Sequence, residues 1–110
     1  MNMTPIFDLH ADLFMDLVRR AATGAPGGLR DRHLPRLAAG GVRGAIMADC
    51  RMAGEEARPE HLESFIRAVN RERAATGDVA LFVRDPADIG RALAEGKTAA
   101  VVAYEGLKAT

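Results

Sequence analysis

Four short apolar runs alternate with longer amphipathic segments along the chain. Compact runs rich in Val, Ile, Ala and Leu are typical of buried strands, whereas apolar residues at i, i+3, i+4 and i+7 are typical of helices. The predicted strands are residues 5–10, 42–48, 79–83 and 98–104. The predicted helices run from about 12 to 21, from Asp31 to Gly40, from Pro59 to about Gly77, and from Pro86 to Gly96.

Capping residues support the predicted helix boundaries. Asp31 and Asp85 are good N-cap residues, and Pro86 suits the first helical position after Asp85. Gly40 and Gly96 follow the last apolar position of their helices, where a glycine commonly ends a helix.

Strands that alternate with helices predict βαβ units, and therefore an α/β fold with a parallel sheet and right-handed crossovers. The chain has 110 residues and no Pro-, Gly- or Ser-rich linker. We therefore expect one domain, or part of one, over residues 1–110.

The composition excludes several classes of function. Fifteen Lys and Arg balance fifteen Asp and Glu, and aromatic residues make up 5% of the chain. Neither a basic surface nor a stacking platform is indicated, so nucleic acid is not an expected partner. No apolar run is long enough to span a bilayer, and the N-terminus does not look like a signal peptide. Cys50 has no second cysteine to pair with, which favours a cytoplasmic location.

The first predicted strand ends in an alternating run of polar residues, Asp8, His10 and Asp12. Alternate side chains of a strand share a face, so an imidazole and a carboxylate would lie roughly 6.6 Å apart along the backbone. Such a pair can bind one divalent ion, with Asp8 on the same face orienting His10. The alternative is a solvated strand end in which Asp12 is only the N-cap of the following helix.

Glu105 follows the apolar run that forms the last predicted strand. Ligands of α/β proteins bind at the carboxyl ends of parallel strands, although Glu105 alone could equally be a solvated loop residue. Together with His10 and Asp12 it completes a set of three potential metal ligands. His33 and His61 are expected to be surface or capping residues.

Three segments resemble the membrane (renal) dipeptidase family of zinc peptidases, in the same order and with similar spacing. They are FDLHADL, DRHLPRLAAGGVRGAIMA and DIGRALAEGKTAAVVAYEG, and together they extend from Phe7 to Gly106. The resemblance implies that the chain is the N-terminal portion of a (β/α)8 TIM-like barrel with two zinc ions at its C-terminal face.

The same resemblance implies roles for particular residues. His10 and Asp12 would ligate one zinc, and Glu105 would bridge both ions. A segment matched by Asp31, His33 and Pro35 would be structural. The family commonly has two glycines after the bridging glutamate, whereas Gly106 is followed here by Leu107.

A barrel of this kind needs about 250 residues, so the ligands from its later strands are absent from this chain. The implied function is hydrolysis of dipeptides by a hydroxide that bridges two metals, complete only with further C-terminal residues. The implied partners are a small peptide substrate and a homodimer mate or a complementing C-terminal chain. The alternatives are an amidohydrolase acting on N-acyl amino acids or lactams, and a non-catalytic fragment or assembly module.

Overall fold

A computed structural model describes residues 4–25, 27–50 and 59–105. Within these ranges, four strands alternate with helices, as the sequence predicts. The strands are β1 (Ile6–Ala11), β2 (Val42–Cys50), β3 (Ala80–Phe82) and β4 (Thr98–Glu105). The helices are α1 (Leu13–Thr23), α2 (Leu34–Ala39), α3 (Pro59–Ala75) and α4 (Ala87–Glu95), and a π-helical segment, Leu29–His33, leads into α2.

The strands form one parallel sheet in the order β1-β2-β4-β3. This confirms the predicted α/β fold. The chain advances from β1 to β2 and then passes over one position to β3, before it returns to place β4 beside β2. Right-handed crossovers put the helix of a returning connection on the opposite face of the sheet from the helices of the advancing ones.

The side chains follow this rule and give the sheet two different faces. The outer face packs on α1 and α3, and it carries Ala45, Met47, Ala100 and Val102. The inner face carries the alternate residues. There Leu81 and Ala99 pack against Ala92 of α4, with Phe7 and Val83 beside them. Among the described residues, a helix therefore covers the inner face only near the amino ends of β3 and β4.

Four of the five aromatic side chains meet in the outer core. The ring of Phe14 lies edge-on to Phe65 and Phe82, with centroids 5.9 and 6.4 Å away, and Phe65 lies 4.9 Å from Tyr104. These contacts join α1 and α3 to the last two strands. Phe14 is fully buried, which is consistent with its place at the centre of the cluster.

The start of the short second helix differs from the expectation that Asp31 caps it. The π-helical segment begins two residues earlier, and Asp31 lies exposed within it. The cause is tertiary. The buried carboxylate of Glu72 accepts a hydrogen bond from the Leu29 N–H at 3.2 Å, and Arg30 donates to Asp78 at 3.1 Å. These bonds hold the segment against α3 and the turn that follows it, so the local preference of Asp31 for a cap position does not decide the boundary.

The edges of the sheet are open within the described residues. β1 and β3 each pair with one neighbour, and the side chains of Ile6 and Leu9 on β1 are 49% and 74% exposed. Within these ranges the sheet is therefore open at both edges and does not close into a barrel. No helix in the described ranges combines the length and the apolar character needed to cross a membrane.

The close approach of β1 to β2 on the inner face requires a glycine at position 44, where any side chain would be in the way. Phe7 pairs with Gly44, and a Cβ atom at Gly44 would overlap the Phe7 ring. We expect Gly44→Ala to lower the free energy of unfolding by about 1–3 kcal/mol, measured by urea denaturation. Combined with Phe7→Leu, the same substitution should cost less, because the smaller side chain can move aside.

The control for this experiment is Gly90→Ala, in the interior of α4. An added Cβ at Gly90 has no atom within 4 Å, so this substitution should stabilise the protein through its helix propensity. If Gly44→Ala were as stable as the parent protein, the ring of Phe7 would not be held against β2.

Candidate metal centre

An irregularity in β1 determines where His10 lies. Asp8 pairs with Ala45 and Ala11 pairs with Met47, so β1 uses two intervening residues where β2 uses one. Leu9 and His10 therefore share the place opposite Ile46, which is the arrangement of a β-bulge. The predicted alternation, with Asp8 and His10 on one face, is wrong for this reason. Asp8 lies on the outer face with Ala45, and the imidazole of His10 reaches residues of the inner face.

Asp12 occupies the N-cap position of α1 but does not use its carboxylate as a cap. The Asp12 side chain makes no capping hydrogen bond. Instead its Oδ1 atom lies 3.0 Å from Nε2 of His10. Asp12 is thus the N-cap residue by position, as the alternative has it, and its carboxylate contacts His10.

Glu105 is the last residue of β4 and pairs in register with Cys50 at the end of β2. Its Oε1 atom lies 3.1 Å from Nδ1 of His10. The carboxyl ends of β1 and β4 therefore meet across the end of β2, and Glu105 is not an isolated loop residue. Gly106 and the Cys50 side chain lie outside the described part of the chain.

The three residues selected from the sequence form one cluster in which the imidazole lies between two carboxylates. The side chains of His10, Asp12 and Glu105 are 52%, 46% and 41% exposed, so the cluster opens to solvent. One imidazole and two carboxylates are ligands that suit zinc. However, each ring nitrogen faces a carboxylate, and within the described ranges no group of three His, Cys, Asp or Glu side chains has the arrangement of a metal site. The donor types fit the metal, and the side chains as they lie are joined by a hydrogen bond between His10 and Asp12 and a close contact between His10 and Glu105.

His33 joins the π-helical segment to the first turn of α1. Its Nε2 atom is 2.8 Å from Oδ2 of Asp16 on α1, and Nε of Arg32 donates to the same oxygen at 3.0 Å. Burial raises the pKa of Asp16, but the hydrogen bonds from Arg32 and His33 outweigh it and hold that pKa below its usual value. Asp31 is exposed, and Pro35 lies in the first turn of α2.

Sequence reasoning missed two acidic residues that the structure buries and one histidine that it half-buries. Asp49 near the end of β2 is 1% exposed, and Glu72 on α3 is 5% exposed. His61 was expected at the surface, but it is half-buried, and its Nδ1 atom is enclosed with no hydrogen-bond partner among the described residues. Glu72 lies within a stretch of charged residues that looks solvated. Asp49 comes directly after the apolar residues of the second predicted strand, and this position is the one sequence feature that could have indicated its burial.

Two clefts lie on the other side of the sheet from the cluster. One, with a volume of about 240 Å³, is lined by Val18, Ala21 and Arg67, and the other, of about 250 Å³, by Gly28 and Glu72 among others. Both lie along the interface of α1 and α3 on the outer face. The candidate metal ligands instead lie on the inner face, at the carboxyl ends of β1 and β4.

Comparison with known proteins gave a match in structure. No family model matches the sequence, and no curated protein matches it. The fold is similar to the crystal structure of the dipeptidase AC, a metallopeptidase of family M19, with a TM-score of 0.68 and 22% sequence identity. The likeness is one of fold. The match covers 94% of this chain and 36% of that one, so this chain spans about a third of the dipeptidase.

The contacts of Asp16 with Arg32 and His33 predict how the stability of the fold depends on pH. A carboxyl whose pKa is lower in the folded than in the unfolded state stabilises the fold above the unfolded pKa of about 3.9. That contribution is lost as the pH falls through the folded pKa. Asp16→Asn should therefore lower the free energy of unfolding at pH 7 by roughly 1–3 kcal/mol, and the difference from the parent should shrink on acidification. Urea denaturation between pH 7 and pH 2 measures both effects.

Asp31→Asn is the matched control, because it removes an exposed carboxyl from the π-helical segment. It should change the free energy of unfolding by less than about 0.5 kcal/mol. A difference between Asp16→Asn and the parent that stayed constant down to pH 2 would contradict the assignment.

Proposed function

We propose that this chain is the N-terminal portion of a metal-dependent dipeptidase, and that it supplies His10, Asp12 and Glu105 as zinc ligands. The observation that carries the proposal is the meeting of these three side chains at the carboxyl ends of parallel strands. This is the end of the sheet where α/β barrels carry their active sites. The structural similarity to a metallopeptidase dipeptidase supports the choice of reaction.

Each side chain has a distinct part in this proposal. His10 and Asp12, adjacent on β1 and the start of α1, would hold the first ion. Glu105 comes from a different strand and would bridge the first ion to a second one, whose other ligands belong to later barrel strands. Zinc bound here would activate a water molecule and polarise the scissile carbonyl. The exposure of the cluster leaves space for a small peptide on the inner face.

The first test is zinc binding by this chain, followed by calorimetry or by competition with a chromophoric chelator. We expect one zinc site in the parent protein. His10→Ala and Glu105→Gln should each weaken it by more than the ~10–100-fold that loss of a supporting residue around a metal typically costs. Glu95→Gln is the control, because the Glu95 side chain is 42% exposed, nearly the same as Glu105, and lies on α4 away from the cluster.

The proposal fails if His10→Ala and Glu105→Gln bind zinc as tightly as the parent protein. Absence of zinc binding by the parent protein would instead favour the non-catalytic alternative for this chain.

The second test concerns the reaction. The coding sequence beyond Thr110 should supply histidines at later strand ends, and hydrolysis should be measured on the protein that this sequence encodes. Dipeptides, N-acyl amino acids and lactams should be compared, because the residues described here do not distinguish these amides. We expect zinc-dependent hydrolysis of dipeptides that His10→Ala abolishes. Hydrolysis confined to acylated amino acids or lactams would replace dipeptides as the substrate class.

A further inference from the structure

The carboxylate of Asp8 holds the backbone of His10. Oδ1 of Asp8 accepts a hydrogen bond from the main-chain N–H of His10 at 3.0 Å, between residues two apart in sequence. Asp8 makes this bond from the outer side of the sheet, where it pairs with Ala45. It is therefore linked to His10 through the main chain, although the two side chains lie on different faces.

This bond lies within the bulge of β1. A bulge leaves its extra residue without a regular place in the hydrogen-bonded ladder, and an unpaired main-chain N–H is costly unless a side chain or water accepts from it. Asp side chains commonly accept from the N–H two residues further on, and in doing so they stabilise a local departure from regular structure. Asp8 thus stabilises the two-for-one arrangement in which Leu9 and His10 lie opposite Ile46.

The bulge decides which face His10 serves. In a regular strand, His10 would lie on the same face as Asp8, that is, on the outer face against α1 and α3. The extra residue reverses this alternation, and His10 instead reaches Glu105, which shares the inner face with Ala99. The position of the imidazole between Asp12 and Glu105 is consequently tied to the bulge.

We propose that Asp8 is a positioning residue for the candidate metal centre, and that it acts by accepting the His10 main-chain N–H so that the bulge directs the imidazole towards Glu105. The inference rests on the proposed function for its consequence, namely metal affinity. Its structural content, the state of the His10 amide, can be measured without metal.

The competing explanation is electrostatic, since Asp8 is also an anion close to a site for a cation. Asp8→Asn separates the two, because the amide oxygen of asparagine can accept the same N–H while the charge is lost. Asp8→Ala removes both the acceptor and the charge. If Asp8→Ala does not fold, Asp8→Glu is used in its place as the variant that loses the hydrogen bond, because the longer side chain displaces the acceptor by one methylene.

The chain offers a matched control for loss of this type of hydrogen bond. Oδ1 of Asp85 accepts the N–H of Ala87 at 2.9 Å, again between residues two apart, at the start of α4. Asp85→Ala should therefore remove an equivalent bond and an equivalent charge without affecting β1. Any general effect of losing such a bond is measured by this variant.

The experiment combines amide hydrogen exchange by NMR on the metal-free protein with zinc titration of the same samples. In the parent protein and in Asp8→Asn, the His10 amide should exchange slowly relative to an unstructured amide, and zinc affinity should be similar. In Asp8→Ala, the His10 amide should exchange at least about tenfold faster, and zinc should bind roughly 10–100-fold more weakly. Asp85→Ala should match the parent in both measurements.

The inference is overturned if Asp8→Ala retains the slow exchange of the His10 amide, or if Asp8→Asn binds zinc as weakly as Asp8→Ala. The second result would assign the effect to charge. If the parent protein binds no zinc, the proposed function fails, and the exchange of the His10 amide still decides whether Asp8 holds the bulge.

Discussion

The candidate site depends on β2 pairing with both β1 and β4. β2 and β4 pair in unbroken register from Gly44 with Ala99 to Cys50 with Glu105, which fixes the end of β4 relative to the end of β2. Neighbouring strands lie about 4.8 Å apart, so β1 and β4 are separated by roughly 10 Å across β2. The side chains of His10 and Glu105 span this distance and meet at 3.1 Å. A slip of one residue in the β2–β4 register would direct Glu105 to the other face.

The two faces of the sheet differ because the chain moves back across the sheet between β3 and β4, although the strands themselves stay parallel. The outer face lies under α1 and α3, where Phe14, Phe65, Phe82 and Tyr104 form the aromatic cluster. The return to β4 places α4 on the inner face at the amino ends of the strands, as shown by the packing of Ala92 on Ala99. Among the described residues, no helix covers the carboxyl ends of the inner face, where His10 and Glu105 lie. The stabilising core and the candidate site are separated by the sheet itself.

The hydrophobic pattern was sufficient to predict all four strands and the four α-helices between them. The three residues of the cluster were selected as polar residues of metal-ligand type at predicted strand ends, and by the family resemblance. The pattern could not reveal the bulge in β1, because period-two alternation assumes a regular strand. The regular alternation of β1 is interrupted by its pairing with β2 and by the hydrogen bond that the His10 N–H donates to Asp8. The order of the strands was also inaccessible, since it depends on contacts between distant parts of the chain. Likewise, Asp31 has the local character of a cap, but the long-range hydrogen bond that the Leu29 N–H donates to Glu72 sets the start of that segment.

The central claim is that His10, Asp12 and Glu105 bind one metal ion together, and X-ray absorption at the zinc edge of the zinc-loaded chain tests it most directly. The protein has three histidines and one cysteine, so the ligand types distinguish the candidates. The account predicts one imidazole, with the remaining ligands oxygen atoms at about 2.0–2.2 Å. A sulfur ligand at about 2.3 Å would assign Cys50 to the metal, and two or more imidazoles would require His33 or His61. Either result would contradict the assignment of the site to the ends of β1 and β4.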